Sequence, residues 1–379
     1  MKYKKIKTAV IGCGMISDIY LKNLKEKFSV IDLDSCADLV EEKAREKSEK
    51  YGIRMRSVEQ IMSDKEIGLI INITYPSSHY EITKAALQNG KNIYSEKCMA
   101  VTVSEAEELY ALAKSRNLRL SVAPDTFLGG SWQTARKILD GGMIGNPVGF
   151  NAVLIRGYHL VKNDADDLKR KFSVMYPGGG IPYDMGGYYI YNLINLFGPI
   201  RRVWGNSFTR NPIRPYLNPN HSRFEENFAV KTPNTMAVTL EFDKGVIGNL
   251  FITSELFGNE TIFNVYGDEG ILYLGDPNNF GDRIYIKTRG DEKNAISFTH
   301  PYLEDSRGLG AAELAWSILK NRPQRISPDM GLHVMKVLAA AEKCGETGIC
   351  EILNDNFSRP APLPSLYYGG ECDEKLLCD

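Results

Sequence analysis

The 379-residue sequence has no apolar run approaching the ~18 residues of a membrane-spanning helix. It has no charge excess either: 46 Lys and Arg face 47 Asp and Glu, for a formal net charge of -1. That balance argues against the concentrated basic surface a nucleic-acid partner needs. Cysteine is sparse and irregular. Cys13, Cys36, Cys98, Cys344, Cys350, Cys372 and Cys378 are odd in number and form no CxxC pair, so neither structural zinc nor a disulfide framework is expected. A reducing cytoplasm fits that usage. Lys2, Lys4, Lys5 and Lys7 have no apolar segment behind them, so no secretory leader is expected. What remains is ordinary globular composition, 43% hydrophobic and 25% charged. At roughly 150 residues per domain, the length suggests two domains.

The N-terminal part alternates strands with helices. Residues 6–11 read as a buried strand, and Gly12-Cys13-Gly14-Met15-Ile16-Ser17 follows before a helix carrying Ile19, Leu21, Leu24 and Phe28 on one face. A strand, a glycine turn and a helix start make a phosphate site: the backbone comes close, and free N–H groups face the anion. Gly12, Gly14, Met15 and Ile16 are the candidate loop residues. The motif is GxGxxS rather than GxGxxG, and its context carries it. A second strand, 30–37, ends at Asp38, 21 residues beyond Ser17, where a carboxylate accepts hydrogen bonds from an adenosine ribose. It would repel a 2′-phosphate, which favours NAD over NADP. The alternation continues with a helix at 41–51 closed by Gly52 and an apolar strand at 69–74. A loop from Tyr75 to His79 and a helix at 80–88 follow. Then come a strand at 92–95, the Glu96-Lys97 loop, a helix at 103–116 and a strand at 118–122. This order predicts a doubly wound parallel sheet, an α/β Rossmann domain over 1–123. Gly12, Asp38, Thr74, Lys97 and Asp125 all follow strands and should line its carboxyl edge. Pro76, His79 and Glu96 join them as candidate cofactor contacts.

The segments at 10–17, 36–38, 85–91 and Ser95-Glu96-Lys97 resemble the Gfo/Idh/MocA family, named for glucose–fructose oxidoreductase, inositol dehydrogenase and a rhizopine-catabolism protein. The likeness covers about the first 365 residues. It implies an NAD-dependent oxidoreductase. The family's loop normally reads Glu-Lys-Pro; here Cys98 replaces the proline, which removes a rigid φ and loosens the loop.

Beyond the crossing at Ala123-Pro124-Asp125-Thr126-Phe127-Leu128-Gly129, the pattern changes. A helix at 134–140 stops at Gly141-Gly142. Val148, Phe150, Ala152 and Leu154 alternate, as do Met236, Val238, Leu240 and Phe242, and Asp268-Glu269-Gly270 reads as a hairpin turn. Strands without helices between them predict an α+β domain over 124–365 with a large mixed or antiparallel open sheet. Helices at 309–319 and 333–344 close it, and 366–379 is a polar tail. The resemblance implies that a second copy covers the sheet's free face, as a homodimer or homotetramer.

The second strong motif is Gly178-Gly179-Gly180-Ile181-Pro182-Tyr183-Asp184-Met185-Gly186-Gly187-Tyr188. Asp184 and Tyr188 are four residues apart and share a helix face. Many relatives carry histidine at the second of these positions, as base. A tyrosine, with an unperturbed pKa of about 10, needs a cation to serve at neutral pH. Lys97 supplies one, and Asp184 would orient Lys97 and the sugar. Lys97 could instead be the base itself, its pKa lowered by burial; the sequence leaves that open. Asp125 is a candidate substrate contact. Phe127 and Trp132 are candidates to stack on a sugar ring, with helix packing the competing reading. Arg156 and His159, ahead of a charged, lid-like stretch at 162–171, are further candidates for substrate contact. No metal is expected.

The expected activity is NAD-dependent oxidation of a ring secondary hydroxyl of a sugar, glycoside or cyclitol, with a glycoside 3-dehydrogenase giving a keto-glycoside as its sharpest form. The resemblance, not composition, supplies that class. Two alternatives are an NAD-retaining enzyme that cleaves glycosides by transient oxidation, and a non-catalytic NAD-binding sensor, since fold alone does not fix function.

Overall fold

Strands buried on both faces need helices on both sides, and the first domain supplies them. The computed structural model describes residues 4–157, 178–216, 219–220 and 222–365. In chain order the first domain runs β1 (Ile6–Ile11), α1 (Ser17–Glu26), β2 (Ile31–Ala37), α2 (Glu41–Tyr51), β3 (Arg54–Met55) and α3 (Val58–Ser63). It continues with β4 (Leu69–Asn72), α4 (Pro76–Gln88), β5 (Asn92–Ser95), α5 (Val103–Ser115) and β6 (Leu120–Val122). All six strands are parallel, in the order β3-β2-β1-β4-β5-β6. The order reverses between β1 and β4, so the crevice for a dinucleotide opens beyond Ile11 and Asn72.

Local chemistry sets the helix ends. Gly52, left-handed at φ 58°, closes α2. Thr102 and Glu105 form a capping box that starts α5. One reading is corrected here. Residues 76–79, expected as loop, are the first turn of α4. Proline suits the first helical position, because its missing N–H would be unpaired there anyway.

The second domain begins with a 3-10 turn, Thr126–Leu128, and α6 (Gly130–Asp140), then β7 (Pro147–Arg156) and α7 (Ile181–Phe197). There follow β8 (Ile200–Phe208), β9 (Ile213–Pro215), β10 (Asn227–Ala229), β11 (Thr235–Phe242) and β12 (Ile247–Thr253). The chain closes with β13 (Asn259–Gly267), β14 (Gly270–Leu274), β15 (Ile284–Thr288), β16 (Asn294–Ile296), α8 (Leu309–Leu319), α9 (Pro328–Thr347) and β17 (Glu351–Ile352). Nine of these strands form one sheet, β16-β15-β14-β13-β7-β12-β11-β8-β17. It is mixed: β7 and β12 are parallel at its centre, and the other pairs are antiparallel. The hairpin expected at Asp268-Glu269-Gly270 joins β13 to β14.

Helices α6, α7 and α9 cover one face of this sheet. Nearly every residue of α7 is buried, including Tyr189, which stacks on Phe263 of β13 with ring centroids 5.7 Å apart. Helices α8 and α9 also pack on the first sheet, against β5 and β6. Ser121 donates to the carbonyl of Ile326 at 2.6 Å, and Gln324 donates to that of Leu120 at 3.0 Å. His333 is a core residue of α9, as its apolar setting suggests. Its Nε2 accepts from the amide of Ile200 at 3.0 Å, and its Nδ1 donates to Asp355 at 2.8 Å.

Candidate active site

The glycine loop turns so tightly that no side chain fits at its first position. Gly12 has φ 107°, and a Cβ there would lie 2.7 Å from the backbone of Ile73. Gly14 is the opposite, with nothing within 4 Å of its would-be Cβ. The loop therefore presses its first glycine on β4 and leaves its second facing open space. Met15 is 61% exposed, and Ile16 precedes the first residue of α1. Asp38 ties this loop to the end of β2. Its Oδ2 accepts from the amide of Cys13 at 2.6 Å and its Oδ1 from that of Val40 at 2.8 Å. Each carboxylate oxygen keeps a second acceptor direction. A steric cradle, open space at a helix N-terminus and a free-sided carboxylate fit a dinucleotide. Gly12, Gly14, Met15, Ile16 and Asp38 are the residues that would hold it. Thr74 and Pro76 flank the loop from β4 to α4, and the Thr74 hydroxyl donates to Asn72 at 2.7 Å.

Lys97 extends from the end of β5 into the second domain. Its ammonium pairs with Asp184 Oδ1 of α7, donates to the Asp184 carbonyl at 2.9 Å, and lies 5.7 Å from the centre of the Tyr188 ring. The three residues that the sequence joined only through motifs are thus neighbours. Burial pushes Lys97 down, but Asp184, Tyr188 and Glu96 outweigh it and hold the ammonium above the usual lysine range. That direction favours the charged ammonium over the reading in which burial lowers Lys97 into the range of a base. Burial holds the Tyr188 phenol above its usual range; Lys97 and Arg307 offset this only in part, and Glu96 opposes them. Glu96 is itself engaged, accepting from Tyr20 at 2.7 Å and from the amide of Lys97 at 3.1 Å. The glycine run ahead of α7 reaches the start of α4: a Cβ on Gly178 would lie 3.3 Å from Pro76 and 3.5 Å from Val101.

Several expected contacts are corrected. His79 is fully buried, with Nδ1 and Nε2 at 2.6 and 3.0 Å from the carbonyls of Cys98 and Thr74. It joins two loops of the edge and has no exposed surface for a cofactor. The same contact corrects the view that Cys98 leaves its loop loose, because His79 and burial pin it where proline would have stiffened it. Asp125 is buried and caps α8, its Oδ2 accepting from the amides of Gly308 and Gly310, both at 2.9 Å. Burial raises its carboxyl to about 6, against the pull of those amides and Arg307. Phe127 is buried and stacks on Tyr191 at 6.1 Å. Trp132 is buried against Phe263 at 5.0 Å and donates to the carbonyl of Asn279 at 3.0 Å. Both rings pack the core and are closed to a sugar. Arg156, the last residue of β7, pairs with Asp276 at 2.5 Å and donates to Thr261 at 3.0 Å. His159, the stretch 162–171 and the tail 366–379 lie outside the described residues.

Arg307 is the site residue that the sequence reading missed. It stands just before Gly308, the N-cap of α8, where its guanidinium pairs with Asp305 at 2.7 Å and donates to Asn278 at 2.6 Å, and its charge acts to lower the Tyr188 phenol. A cation is out of place at the positive end of a helix dipole. A basic residue ahead of an apolar helix was therefore a signal that something else holds it.

Residues 6–124 match the sequence model of an oxidoreductase family with an NAD-binding Rossmann fold, and residues 132–273 match that of the GFO/IDH/MocA C-terminal domain. An uncharacterized oxidoreductase of Schizosaccharomyces pombe is 32% identical over 215 residues, 55% of this chain and 56% of that protein. The inositol 2-dehydrogenase/D-chiro-inositol 3-dehydrogenase of Lactiplantibacillus plantarum is 21% identical over 272 residues, 71% of each chain. The chain spans about half the length of the S. pombe relatives it matches. Among solved structures, levoglucosan dehydrogenase in complex with NADH and L-sorbose superposes with a TM-score of 0.80 at 19% identity, covering 93% of this chain and 100% of that one. That likeness is one of fold.

Proposed function

Because the chain belongs to the GFO/IDH/MocA oxidoreductase family, we propose that it is an NAD-dependent dehydrogenase that oxidises a ring secondary hydroxyl of a sugar, glycoside or cyclitol. The observation that carries this reading is the Lys97–Asp184–Tyr188 cluster at the carboxyl edge of a dinucleotide-type sheet. The names of two relatives, an inositol dehydrogenase and a levoglucosan dehydrogenase, support the substrate class. Bound NAD supplies a hydride acceptor in its nicotinamide ring.

The chain's own residues handle the proton. An ammonium has three donors, and Lys97 spends two on Asp184, leaving one for a substrate oxygen. A cation there polarises the hydroxyl and favours its alkoxide. Tyr188 Oη takes the proton in its phenolate form, which the Lys97 charge favours against the effect of burial; Lys97, held charged, has no lone pair to offer. Asp184 keeps the ammonium in place from the facing domain.

The test is an NADH-absorbance screen of hexoses, inositols and aryl glycosides, with product analysis to locate the ketone. Lys97→Met and Tyr188→Phe are expected to lower turnover about a hundredfold or more. Near-full turnover of Tyr188→Phe with an unchanged pH profile would remove the tyrosine from the proton path. Release of an aglycone without NADH accumulation would favour redox-neutral cleavage.

A further inference from the structure

The Lys97–Asp184 pair joins the two domains, and its acidic half is lightly held. The Asp184 side chain is 42% exposed, and among the described residues its carboxylate accepts from Lys97 alone. An ion pair so open to water is weak unless its groups are already in place. The first turn of α7 must therefore place it. That turn meets the loop after β5 residue by residue. Lys97 Nζ donates to the carbonyl of Asp184 at 2.9 Å, and Cys98 Sγ donates to that of Tyr183 at 3.6 Å. The Tyr183 side chain leaves the turn for α9, where its phenol donates to the Glu342 carboxylate.

Helix α9 is a firm base for such a contact because it docks on both domains. It packs on β8 and α7 in the second domain, and on α5 and β6 in the first. Tyr110 of α5 donates to Asp329 at 2.8 Å, and Lys336 pairs with Glu107 at 3.4 Å. Burial pushes the Tyr183 phenol above its usual range, so it keeps its proton and stays a donor. Burial also raises the Glu342 carboxyl, and the hydrogen bond from Tyr183 pulls it back. Charged or neutral, a carboxyl group retains an acceptor for the phenol.

We propose that Glu342 is a positioning residue: by holding the Tyr183 hydroxyl it fixes the first turn of α7, and with it the seat of Asp184 at the Lys97 ammonium. The assignment deepens the dehydrogenase reading and rests on it for its chemical meaning, since Asp184 sets where Lys97 reaches a substrate oxygen.

The test needs no substrate. Competitive labelling with acetic anhydride, read at the Lys97 peptide by mass spectrometry, reports how tightly this amine is held. Tyr183→Phe and Glu342→Ala should each label Lys97 about fivefold faster than wild type, roughly the factor that one hydrogen bond contributes to an equilibrium. Glu342→Gln keeps an acceptor and should restore labelling to near the wild-type rate. Tyr110→Phe is the structural control. It also removes one tyrosine hydrogen bond to α9, at Asp329, but none to α7, and should leave Lys97 labelling unchanged. A wild-type rate in both Tyr183→Phe and Glu342→Ala overturns the proposal, as does equal acceleration in Tyr110→Phe. If Lys97 labels faster as expected but no compound in the sugar panel reduces NAD, the dehydrogenase reading fails while the coupling of Glu342 to Lys97 stands. If a sugar is oxidised but labelling does not change, the dehydrogenase reading stands and the positioning role falls.

Discussion

At Gly12 a single methyl group separates a working loop from a displaced one. Its would-be Cβ meets the carbonyl carbon and oxygen of Ile73 and the amide of Thr74, all backbone atoms that cannot swing aside. Gly12→Ala must move the loop or β4, at a cost of about 1–3 kcal/mol from the left-handed φ alone. The expected outcome is a lower melting temperature and NAD binding weakened tenfold or more in a calorimetric titration. Gly14→Ala is the matched control. It has open space around it, so its melting temperature should hold while NAD binding falls, since only a ligand would meet the new methyl. An unchanged NAD affinity in both would mean the loop does not hold the dinucleotide. Residue types with one chemical use were the legible ones: glycines after a strand, and a lysine and an aspartate in tight motifs. Trp132 and Phe127 were misread because an aromatic side chain serves a sugar face and a core equally well, and only burial separates the two. Arg307 escaped because Asn278, which its guanidinium reaches, lies in a turn 29 residues earlier in the chain.

Helix α8 shows how an element end can be capped from far along the chain. Asp125, at the exit of the first sheet, supplies the acceptor for the amides of Gly308 and Gly310. Asp125→Ala leaves two buried donors unpaired and should cost about 2–3 kcal/mol in urea unfolding. Asp125→Asn keeps an acceptor and removes a carboxylate that burial disfavours, so it should stay within about 1 kcal/mol of wild type at pH 7. The pH dependence has a definite sign. The folded carboxyl titrates at about 6 and the unfolded one near 3.9, so the folded state holds the extra proton between them. Wild type should therefore gain on Asp125→Asn as pH falls from 7 to 5. A gap that is constant with pH would show that this carboxyl is not raised. Sequence-local helix starts, such as the Thr102–Glu105 box, were readable, since cap and capped residue lie within one turn. The cap on α8 and the parallel pairing of β7 with β12, about ninety residues apart, depend on the closed fold, and periodicity carries no information about either.

Among the described residues no helix covers the second side of the nine-stranded sheet, and that side is not the polar surface expected of a sheet that ends in water. Ala237, Phe251, Val153 and Ile262 lie in register across four adjacent strands and point away from the helices, each at least partly exposed. The next row in register holds Trp204, Thr239, Asn249, Asn151, Asn264, Tyr273 and Tyr285. Aliphatic and aromatic side chains flanked by amides have the composition of a protein interface, with an apolar centre and a rim that hydrogen-bonds. The central strands are fixed in register by the ladder, so the face is rigid and self-complementary association about a twofold axis requires little ordering. A second copy is the expected cover, giving a dimer or a tetramer in sedimentation velocity. Phe251→Arg places a charge in the middle of the row and should shift the protein to monomer while its far-ultraviolet circular dichroism stays unchanged. Wild type sedimenting as a monomer at every concentration would show that this face stays bare, and a Phe251→Arg variant that assembles as wild type does would place the interface elsewhere.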